Sequence, residues 1–562
     1  MRSKNAWVWG RASALVVVAG VVLAGCSDTA NVGCTTDVVN TTSGEVCGLQ
    51  MDVVDAPDVG VEGFFAIPYA ETTAGENRWR PPVPKARMGG VFRATDRVPA
   101  ACPQSDPDSE FGAGRKTSED CLSLNVWRPL GVEGGDARPV MVWIYGGSFT
   151  SGGTNVPLYD GAYLASTQDL IVVTLNYRVG ALGFLAGVDG LEGNYGLMDQ
   201  QLALRWVQEN IGAFGGDPDD VTLFGESAGA MSVGLHQLSL PDSQGLFRAI
   251  LMESNPFGIP YKTLAQAAPS GQLFEKLVGC EGQGVECMRG VPVDAIVQTQ
   301  SSTEILFNSL LGARLAGFLV FSPNIDGTFL VGDPTITAQN GALDRPTLLG
   351  TNANEGIIFV DEIAQLEGGT VTDAVYRTLL TLLFGAEATT QILELYPPDP
   401  SGNNDLVLSR VATDYLFGCA NRFVASTARE GIWVYEFTES GVNIWPGIPA
   451  CEGRACHGDD VPFVFHTDRQ VGYEFTPAQA RLSDEMVRYW GSFARSLDPN
   501  SAGGFAWPGF TPGGLEYLVL DSPALSTTVD PYGNCDFWDT VGYDLNPAVD
   551  AVNAILRAAL ED

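Results

Sequence analysis

Positively charged side chains are scarce in this chain of 562 residues. Lys and Arg together number 31, against 67 Asp and Glu, so the formal net charge at pH 7 is −36. A surface this acidic repels phosphate backbones, which argues against nucleic-acid binding, and it offers anionic lipid no basic patch. The sequence also lacks internal repeats, coiled-coil heptads and long low-complexity linkers. We therefore expect one large domain.

Histidine and the cysteine patterns of metal sites are rare as well. The chain has three histidines, His236, His457 and His466, and eleven cysteines with no CxxC pair among them. The only adjacent Cys and His are Cys456 and His457, so the cysteines favour disulfides over a metal site. We expect no metal and no organic cofactor.

The N-terminus has no hydrophobic run long enough to span a bilayer comfortably. Three basic residues among the first eleven precede 13 uncharged, mostly apolar residues, Ala12 to Ala24. This length is typical of a signal-peptide core. The run ends in Leu-Ala-Gly-Cys, which resembles a bacterial lipobox, and cleavage there would leave Cys26 as a lipidated first residue. The alternative is an ordinary secretory signal that is cleaved nearby.

These features divide the chain into three parts. Residues 1–25 are predicted to be a lipoprotein-type signal peptide, and residues 26–45 a polar tether rich in Thr, Asn, Asp and Ser. Residues 46–562 are predicted to form a single domain. With either signal the mature protein is exported, either as a cell-envelope lipoprotein or as a secreted protein.

The odd number of cysteines fits this location. If Cys26 carries lipid, ten cysteines remain, which suffices for five disulfides in an oxidising compartment. Cys34 and Cys47 are candidates to close an N-terminal loop. Three other pairs are local neighbours and one pair remains for a long-range link: Cys102 with Cys121, Cys280 with Cys287, Cys451 with Cys456, and Cys419 with Cys535.

Apolar runs alternate with helical segments along the chain. Strands buried on both faces are predicted at Val140–Tyr145, Leu170–Leu175, Val221–Phe224, Ala249–Met252, Thr347–Leu349 and Ile432–Phe437. Residues 197–211 have apolar side chains at helical spacing, and Ala548–Leu560 is typical of an amphipathic closing helix. This alternation predicts an α/β fold with a large, mostly parallel sheet that helices cover on both faces.

The strand Val221–Phe224 runs directly into Gly225-Glu226-Ser227-Ala228-Gly229, and a run of small residues follows. A G-x-S-x-G sequence between a strand and a helix indicates a nucleophilic serine on a tight turn. Ser227 is therefore the predicted nucleophile, and the alternative is a structural serine at a helix start.

A serine nucleophile needs a general base, and histidine is the usual one. His236 follows Ser227 by nine positions within the predicted helix, which favours a packing role. His466 follows an apolar run and is expected at the end of a helix or strand. His457 lies in a loop beside a glycine and a possible disulfide, and we predict it to be the base.

The acid that orients the base cannot be found by elimination. In α/β-hydrolases it lies between the serine and the histidine in the chain. Glu355 follows the Thr347–Leu349 strand at the carboxyl end where α/β sites form, and it is the best local candidate. Asp326 and Asp414 remain rivals.

Backbone amides for an oxyanion are expected directly after the strand Val140–Tyr145. Gly146-Gly147-Ser148 offers flexible backbone there, and its amides would join that of Ala228, the residue after the nucleophile. The alternative is a plain glycine turn.

These stretches together resemble the type-B carboxylesterase/lipase family, which includes the cholinesterases. FGGDPDDVTLFGESAG (214–229) matches the family's nucleophile signature throughout. SEDCLSLNVWRP (118–129) matches its second signature except at Ser123, where Tyr, Thr or Phe is usual. WIYGGSF (143–149) resembles the oxyanion strand and loop, with Ser148 in place of a glycine, and GTNANEG also fits. The similarity covers roughly residues 50–545.

The resemblance implies the α/β-hydrolase fold and a role for each matching residue. It implies Ser227 as nucleophile, Glu355 as acid, His457 as base, the amides of Gly147, Ser148 and Ala228 as oxyanion donors, and Glu226 as a further carboxylate facing the site. It also implies three of the disulfides, Cys102–Cys121, Cys280–Cys287 and Cys419–Cys535, whereas Cys451–Cys456 rests on proximity alone.

The predicted function is a broad-specificity serine carboxylesterase that acts on small-molecule esters. The Cys102–Cys121 loop has Phe111 as its only aromatic residue, whereas cholinesterases have a tryptophan there that faces the choline cation, so a choline-ester specialist is disfavoured. The alternatives are a non-catalytic binding or adhesion protein on the same fold, and a hydrolase of amides or carbamates. The loops Asn255–Lys262 and Thr303–Val320 are expected to line the acyl pocket.

Overall fold

Short strands alternate with helices through most of the chain in the computed structural model. The structure describes residues 33–104, 116–311, 320–429, 431–545, 547–550 and 553–554. The strands within these ranges are β1 Val39–Thr41, β2 Gly44–Cys47, β3 Leu49–Asp52, β4 Gly60–Pro68, β5 Val91–Arg93, β6 Ser123–Pro129, β7 Arg138–Ile144, β8 Ile171–Leu175, β9 Gly216–Glu226, β10 Ala249–Glu253, β11 Lys262–Thr263, β12 Asn324–Ile325, β13 Thr347–Asn352, β14 Ile432–Phe437, β15 Glu516–Leu520 and β16 Ser526–Val529.

The helices vary widely in length. They are α1 Ala162–Gln168, α2 Gly180–Phe184, α3 Tyr195–Asn210, α4 Ala228–Leu238, α5 Leu264–Leu277, α6 Gly284–Arg289, α7 Val293–Leu311, α8 Pro334–Gln339, α9 Gly356–Leu366, α10 Asp373–Leu395, α11 Asp405–Ala412, α12 Cys419–Ala425, α13 Val461–Phe465, α14 Pro477–Ser496 and α15 Cys535–Val541. No helix in the described part of the chain is both long and apolar enough to cross a membrane.

Eleven of the strands form one large sheet with the order β16-β15-β14-β13-β10-β9-β7-β8-β6-β4-β3. The seven strands from β15 to β8 run parallel to one another, and antiparallel pairs close both edges. Strands β8, β10 and β13 are buried at every position, as a parallel sheet covered on both faces requires. The predicted α/β fold with a mostly parallel sheet is confirmed.

Helices α3, α4 and α14 pack against the central strands, and α1 packs against β6 and β8. Of the described helices only α10 is longer than α14. Helix α14 begins with a capping box between Thr476 and Gln479. Its buried side chains include Tyr489 and Trp490. Helix α14 thus brings large aromatic rings to the sheet, and Trp490 contacts a carboxylate next to the candidate site.

The predicted tether at residues 26–45 is wrong in its second half. Strand β1 pairs with β2 in antiparallel register, and a disulfide joins Cys34 to Cys47. The Thr42 amide also donates to Asn210 Oδ1 at 2.6 Å. A disulfide and long-range hydrogen bonds order this polar stretch, so the compact unit begins at Cys34. The predicted signal peptide and Cys26 lie outside the described residues.

Two other expectations need adjustment. The loop expected at Thr303–Val320 is helical up to Leu311, where α7 ends, and residues 312–319 lie outside the described ranges. The helix expected at Ala548–Leu560 is described only at 547–550 and 553–554, which are helical.

All five disulfides that the sequence suggested are present. They are Cys34–Cys47, Cys102–Cys121, Cys280–Cys287, Cys419–Cys535 and Cys451–Cys456. The Cys419–Cys535 bond joins α12 to α15 across 116 residues, whereas Cys451–Cys456 closes a loop immediately before His457. Disulfides of this number are typical of exported proteins.

Candidate active site

Ser227 lies at the sharp turn between β9 and α4. Its backbone angles are φ 55° and ψ −123°, a combination that costs free energy for a residue with a side chain. The Ser227 amide donates to the carbonyl of Glu253 at 3.0 Å, and the Ser227 carbonyl accepts the Met231 amide at 2.8 Å. The end of the neighbouring strand and the first turn of α4 therefore hold the strained residue in place.

The two glycines that flank Ser227 allow this turn to pack against β7. A Cβ on Gly229 would lie 1.9 Å from the carbonyl oxygen of Ile144, and a Cβ on Gly225 would lie 2.6 Å from the same oxygen. Any side chain at either position would push α4 away from the sheet. The spacing of the G-x-S-x-G motif is thus a packing requirement as well as a conformational one.

The glycine loop after β7 lies directly against the Ser227 turn. A Cβ on Gly146 would come within 2.7 Å of Glu226 Oε2 and 2.9 Å of Ser227 Cβ. Gly147 and Ser148 both have positive φ angles, 99° and 54°. The backbone of this loop therefore approaches the serine closely, as a source of oxyanion donors must.

His457 and Glu355 are in direct contact. Glu355 Oε2 lies 2.5 Å from His457 Nδ1, and Glu355 Oε1 accepts the Asn352 amide at 2.7 Å. Both side chains are buried, and the imidazole packs against the rings of Phe359 and Phe417. A carboxylate at Nδ1 fixes the ring so that Nε2 is the nitrogen available to take up a proton.

The other imidazole nitrogen faces the residue next to the serine. His457 Nε2 lies 3.1 Å from Glu226 Oε1 and makes no hydrogen bond of good geometry to a described residue. Glu226 is itself the last residue of β9. The structure therefore brings together three sequence-predicted residues from different parts of the chain, and places Ser227 beside them.

The loop that carries His457 is tied down on several sides. Asn352 Nδ2 donates to the Cys456 carbonyl at 2.7 Å and to Asp460 Oδ1 at 3.1 Å. Asp459 Oδ2 accepts the Cys456 amide at 2.7 Å, and Trp445 Nε1 donates to the His457 carbonyl at 2.6 Å. These bonds and the Cys451–Cys456 disulfide fix the backbone on which the imidazole depends.

Both His457 and Glu226 hold their protons more tightly than usual. Burial alone lowers the pKa of His457, but the carboxylates of Glu226 and Glu355 outweigh burial and raise it to about 9. Burial raises the pKa of Glu226 to about 8 against the attraction of His457. Because an ionised Glu226 increases the proton affinity of the imidazole, the two groups titrate as a pair.

A row of residues on four adjacent strands continues from Glu226 across the sheet. Glu226, Glu253, Gly350 and Tyr435 are register partners on β9, β10, β13 and β14. Glu253 Oε1 accepts the indole N–H of Trp490 at 2.8 Å, and burial raises its pKa well above the ordinary value.

Tyr435, at the β14 end of this row, contacts the loop that carries His457. Tyr435 donates its hydroxyl to Asp460 Oδ2 at 2.8 Å. Burial, together with the charge of Glu355, raises the pKa of Asp460 to about 6. Sequence reasoning missed Asn352, Glu253, Tyr435 and Asp460. Asp460 had a signal in the sequence, because it follows His457 by three positions, but Glu253 and Tyr435 had none.

The two other histidines have packing partners. His236 is fully buried in α4, with Nδ1 at 2.8 Å from Ser243 Oγ and Nε2 at 3.1 Å from Gln200 Oε1. Burial lowers the pKa of His236 to about 3. His466 follows α13 and contacts Ser483. The structure brings neither of them to the Ser227 turn.

The rival acids also have other partners. Asp326 accepts the amides of Thr328 and Phe329 at 2.6 and 2.7 Å, as a turn residue does. Asp414 lies in a π-helical segment, Thr413–Gly418, and accepts the hydroxyl of Tyr396 at 2.5 Å. Glu355 is the candidate acid that contacts a histidine.

Comparison with known proteins identifies the family of the chain. The model of the carboxylesterase family matches residues 35–538. The acetylcholinesterase of Bungarus fasciatus is 33% identical over 541 residues, which cover 89% of this chain and 86% of that protein. The "crystal protein" of Dictyostelium discoideum is 34% identical over 458 residues, or 79% of this chain and 80% of that protein.

Solved structures give the same result. A thermophilic PNB esterase aligns with a TM-score of 0.76 and 30% identity, over 90% of this chain and all of that one. A second PNB esterase aligns with a TM-score of 0.74 at the same identity and coverage. The chain therefore belongs to the carboxylesterase family and is a type B carboxylesterase with the α/β-hydrolase fold.

Proposed function

We propose that this carboxylesterase hydrolyses its esters through an acyl-enzyme formed on Ser227, with His457 as the base and Glu355 as the acid. The contact of 2.5 Å between Glu355 Oε2 and His457 Nδ1 carries the proposal. A buried carboxylate at Nδ1 both orients the ring and stabilises the imidazolium that forms during the reaction. No metal or organic cofactor takes part in this chemistry.

Acylation begins with attack of Ser227 Oγ on the ester carbonyl carbon. His457 Nε2 takes up the hydroxyl proton, and the negative charge that develops on the carbonyl oxygen is stabilised by the amides of Gly147, Ser148 and Ala228. Collapse of the tetrahedral intermediate breaks the bond to the alkoxy oxygen, which leaves as alcohol with the proton from His457. Ser148 stands where the family has a glycine, and it can still donate to the oxyanion because the donor is a backbone amide.

Deacylation repeats the sequence with water. His457 takes a proton from the water molecule, the oxygen attacks the acyl carbon, and the proton passes to Ser227 Oγ as the acid leaves. The same chemistry can cleave amides and carbamates, so the triad alone does not select esters. The names of the PNB esterases and the acetylcholinesterase favour esters.

We propose broad acyl specificity in place of choline-ester specificity. The Cys102–Cys121 loop lacks the tryptophan that forms the best platform for a quaternary ammonium group. The one aromatic residue in that loop, Phe111, lies outside the described residues. We therefore expect neutral esters to be the better substrates.

Labelling with a fluorophosphonate probe tests the nucleophile. We expect the wild-type protein and a Ser302→Ala control, changed at an exposed serine on α7, to be labelled and active on p-nitrophenyl esters. Ser227→Ala should be folded, unlabelled and inactive. Labelling that persists in Ser227→Ala would contradict the assignment, and a wild type that is neither labelled nor active would favour the non-catalytic alternative.

Substrate series then separate the remaining alternatives. Initial rates on p-nitrophenyl esters of increasing acyl length define the acyl preference. Matched p-nitroanilides and carbamates test whether the enzyme hydrolyses amides or carbamates instead. We expect kcat/KM to be highest on esters. A higher kcat/KM on anilides of the same acyl group would overturn the ester assignment while leaving the triad intact.

We also propose that residues 1–25 direct export and that Cys26 carries a lipid anchor. The five disulfides support an oxidising compartment, and the lipobox resemblance supports the anchor. A Cys26→Ser variant should move from the membrane fraction to the soluble exported fraction. A variant that stays membrane-associated would contradict the anchor but not the export.

A further inference from the structure

A second group of polar side chains meets at a place that shares no residue with the candidate active site. Asp55 lies between β3 and β4, and His466 and Asp468 follow α13. Each side chain offers one possible metal-ligand atom, and the three atoms lie within 4.8 Å of one another. Sequence spacing could not predict this group, because Asp55 is distant from the other two residues in the chain.

The imidazole of His466 is held with one nitrogen available. Ser483 Oγ donates to the Phe463 carbonyl at 2.8 Å, so it must accept from His466 Nδ1–H, which lies at 2.8 Å. This places the ring proton on Nδ1, so that Nε2 carries the lone pair that a metal ion would use. Tyr163 stacks on the ring at 4.0 Å between centroids. A metal-bound histidine typically donates its second nitrogen in this way.

Asp468 has a buried oxygen without a partner. The residue is 3% exposed, and its Oδ2 accepts the Phe475 amide at 2.6 Å. Its Oδ1 has no hydrogen-bond partner among the described residues. A buried carboxylate oxygen that accepts no hydrogen bond is unfavourable unless a cation balances it.

Asp55 completes the group at the protein surface. Its Oδ1 lies 3.0 Å from Arg469 Nη2, and 26% of the Asp55 side chain and 52% of the Arg469 side chain are exposed. An ion pair this exposed contributes little to stability. The arginine can therefore rotate into solvent and leave the carboxylate to another cation without a large cost.

We propose that Asp55, His466 and Asp468 bind one divalent transition-metal ion, and that Zn²⁺ fits the ligand set best. One imidazole and two carboxylates suit Zn²⁺ better than Ca²⁺ or Mg²⁺, which prefer oxygen ligands alone. Tetrahedral Zn²⁺ places its ligand atoms about 3.4 Å apart, so ligand atoms that lie up to 4.8 Å apart must approach one another by up to about 1.4 Å on binding. A water molecule takes the fourth position.

Such an ion would act as a brace. It would join the turn between β3 and β4 to the segment that follows α13. Helix α13 itself begins four residues beyond His457. Binding to the folded state alone stabilises that state in proportion to the logarithm of the metal concentration. The expected effect is on thermal stability, with the rate on p-nitrophenyl esters unchanged for protein that is folded.

Calorimetric titration of the EDTA-treated, full-length exported protein with Zn²⁺ tests the proposal. We expect about one equivalent of Zn²⁺ to bind, with a rise in Tm that Ca²⁺ and Mg²⁺ do not produce. Asp468→Asn and Asp55→Asn should each weaken Zn²⁺ binding by about tenfold or more and lose the rise in Tm. Two separate aspartate variants keep the test valid if His466→Gln fails to fold.

Asp484→Asn is the matched control. Asp484 Oδ1 lies 3.7 Å from His466 Nδ1, on the side of the ring that Ser483 occupies, and accepts the hydroxyl of Tyr163. This variant should bind Zn²⁺ as the wild type does. Binding of less than about 0.2 equivalents by the wild type, or equal binding by wild type and Asp468→Asn, would overturn the proposal.

Discussion

The ring of Tyr435 lies directly over the backbone of Gly350. The two residues are register partners on β14 and β13, and a Cβ on Gly350 would lie 1.7 Å from Tyr435 Cζ. The missing side chain lets the ring cross the sheet and donate its hydroxyl to Asp460 at 2.8 Å. Asp460 in turn accepts from Asn352, which also holds the Cys456 carbonyl beside His457.

Gly350→Ala should therefore disturb both stability and activity. The methyl group would force the Tyr435 ring to move, and overpacking of this kind costs about 1–3 kcal/mol. We expect a lower Tm by differential scanning calorimetry and a lower kcat on a p-nitrophenyl ester. Gly509→Ala is the control, because a Cβ there meets no atom within 4 Å. A Gly350→Ala variant with wild-type Tm would contradict the packing argument.

The sequence could predict features that depend on neighbours in the chain. Apolar runs located the central strands, and the order strand, Gly225, Ser227, Gly229, helix located the sharp turn. The choice among Glu355, Asp326 and Asp414 stayed open, because it depends on which carboxylate reaches a histidine. That contact is made between residues about a hundred positions apart and is visible only in the folded chain.

One physical cause explains why the sequence did not identify Glu253 and Tyr435 as part of the site. Glu253 and Tyr435 reach the site through the register of four adjacent strands, which no local pattern encodes. The misplaced tether has the same origin, since its residues are polar and are ordered by a disulfide and by the distant side chain of Asn210.

Replacing the proposed acid tests the choice among the three carboxylates. Glu355→Gln keeps the size of the side chain but removes the charge at His457 Nδ1, so we expect kcat to fall by about 10³–10⁴-fold. Asp326→Asn and Asp414→Asn should retain near wild-type kcat, because their oxygens bond to turn amides and to Tyr396. Steady-state kinetics on one p-nitrophenyl ester checks all three. A larger loss in either Asp variant would reassign the acid.

Glu226→Gln should shift the pH dependence of catalysis. In the proposed mechanism, His457 accepts the Ser227 proton only when the imidazole is neutral, so we expect kcat/KM to rise with pH through the pKa of His457. The Glu226 carboxylate raises that pKa, and its removal should move the acidic limb of the kcat/KM profile down by about one pH unit. An acidic limb at the wild-type position would show that Glu226 does not act on the base.

Glu253→Gln should change stability in a pH-dependent way. Burial raises the pKa of Glu253 in the folded state, whereas in the unfolded chain the pKa is near its ordinary value. As the pH rises above that ordinary value, the unfolded state loses the proton first, so the wild-type protein loses stability. Glutamine cannot ionise, and its oxygen can still accept from Trp490.

The difference in Tm between Glu253→Gln and the wild type should therefore be larger at pH 8 than at pH 5, and should favour the variant. Thermal unfolding at the two pH values measures it, and the other buried carboxyls cancel because both proteins contain them. Glu485→Gln, changed at a partly exposed carboxylate on α14, provides the control. A Tm difference that is the same at both pH values would mean that Glu253 is not protonated in the folded protein.

The Cys451–Cys456 disulfide should matter more for catalysis than its small loop suggests. With a sequence separation of 5, chain entropy predicts a contribution of about 2 kcal/mol, close to that of Cys280–Cys287 with a separation of 7. Cys451→Ser/Cys456→Ser and Cys280→Ser/Cys287→Ser should thus lose similar stability. Only the first pair immediately precedes His457, so only that double variant should lose kcat below its Tm. Equal kcat in the two double variants would show that Asn352, Asp459 and Trp445 hold the loop without the disulfide.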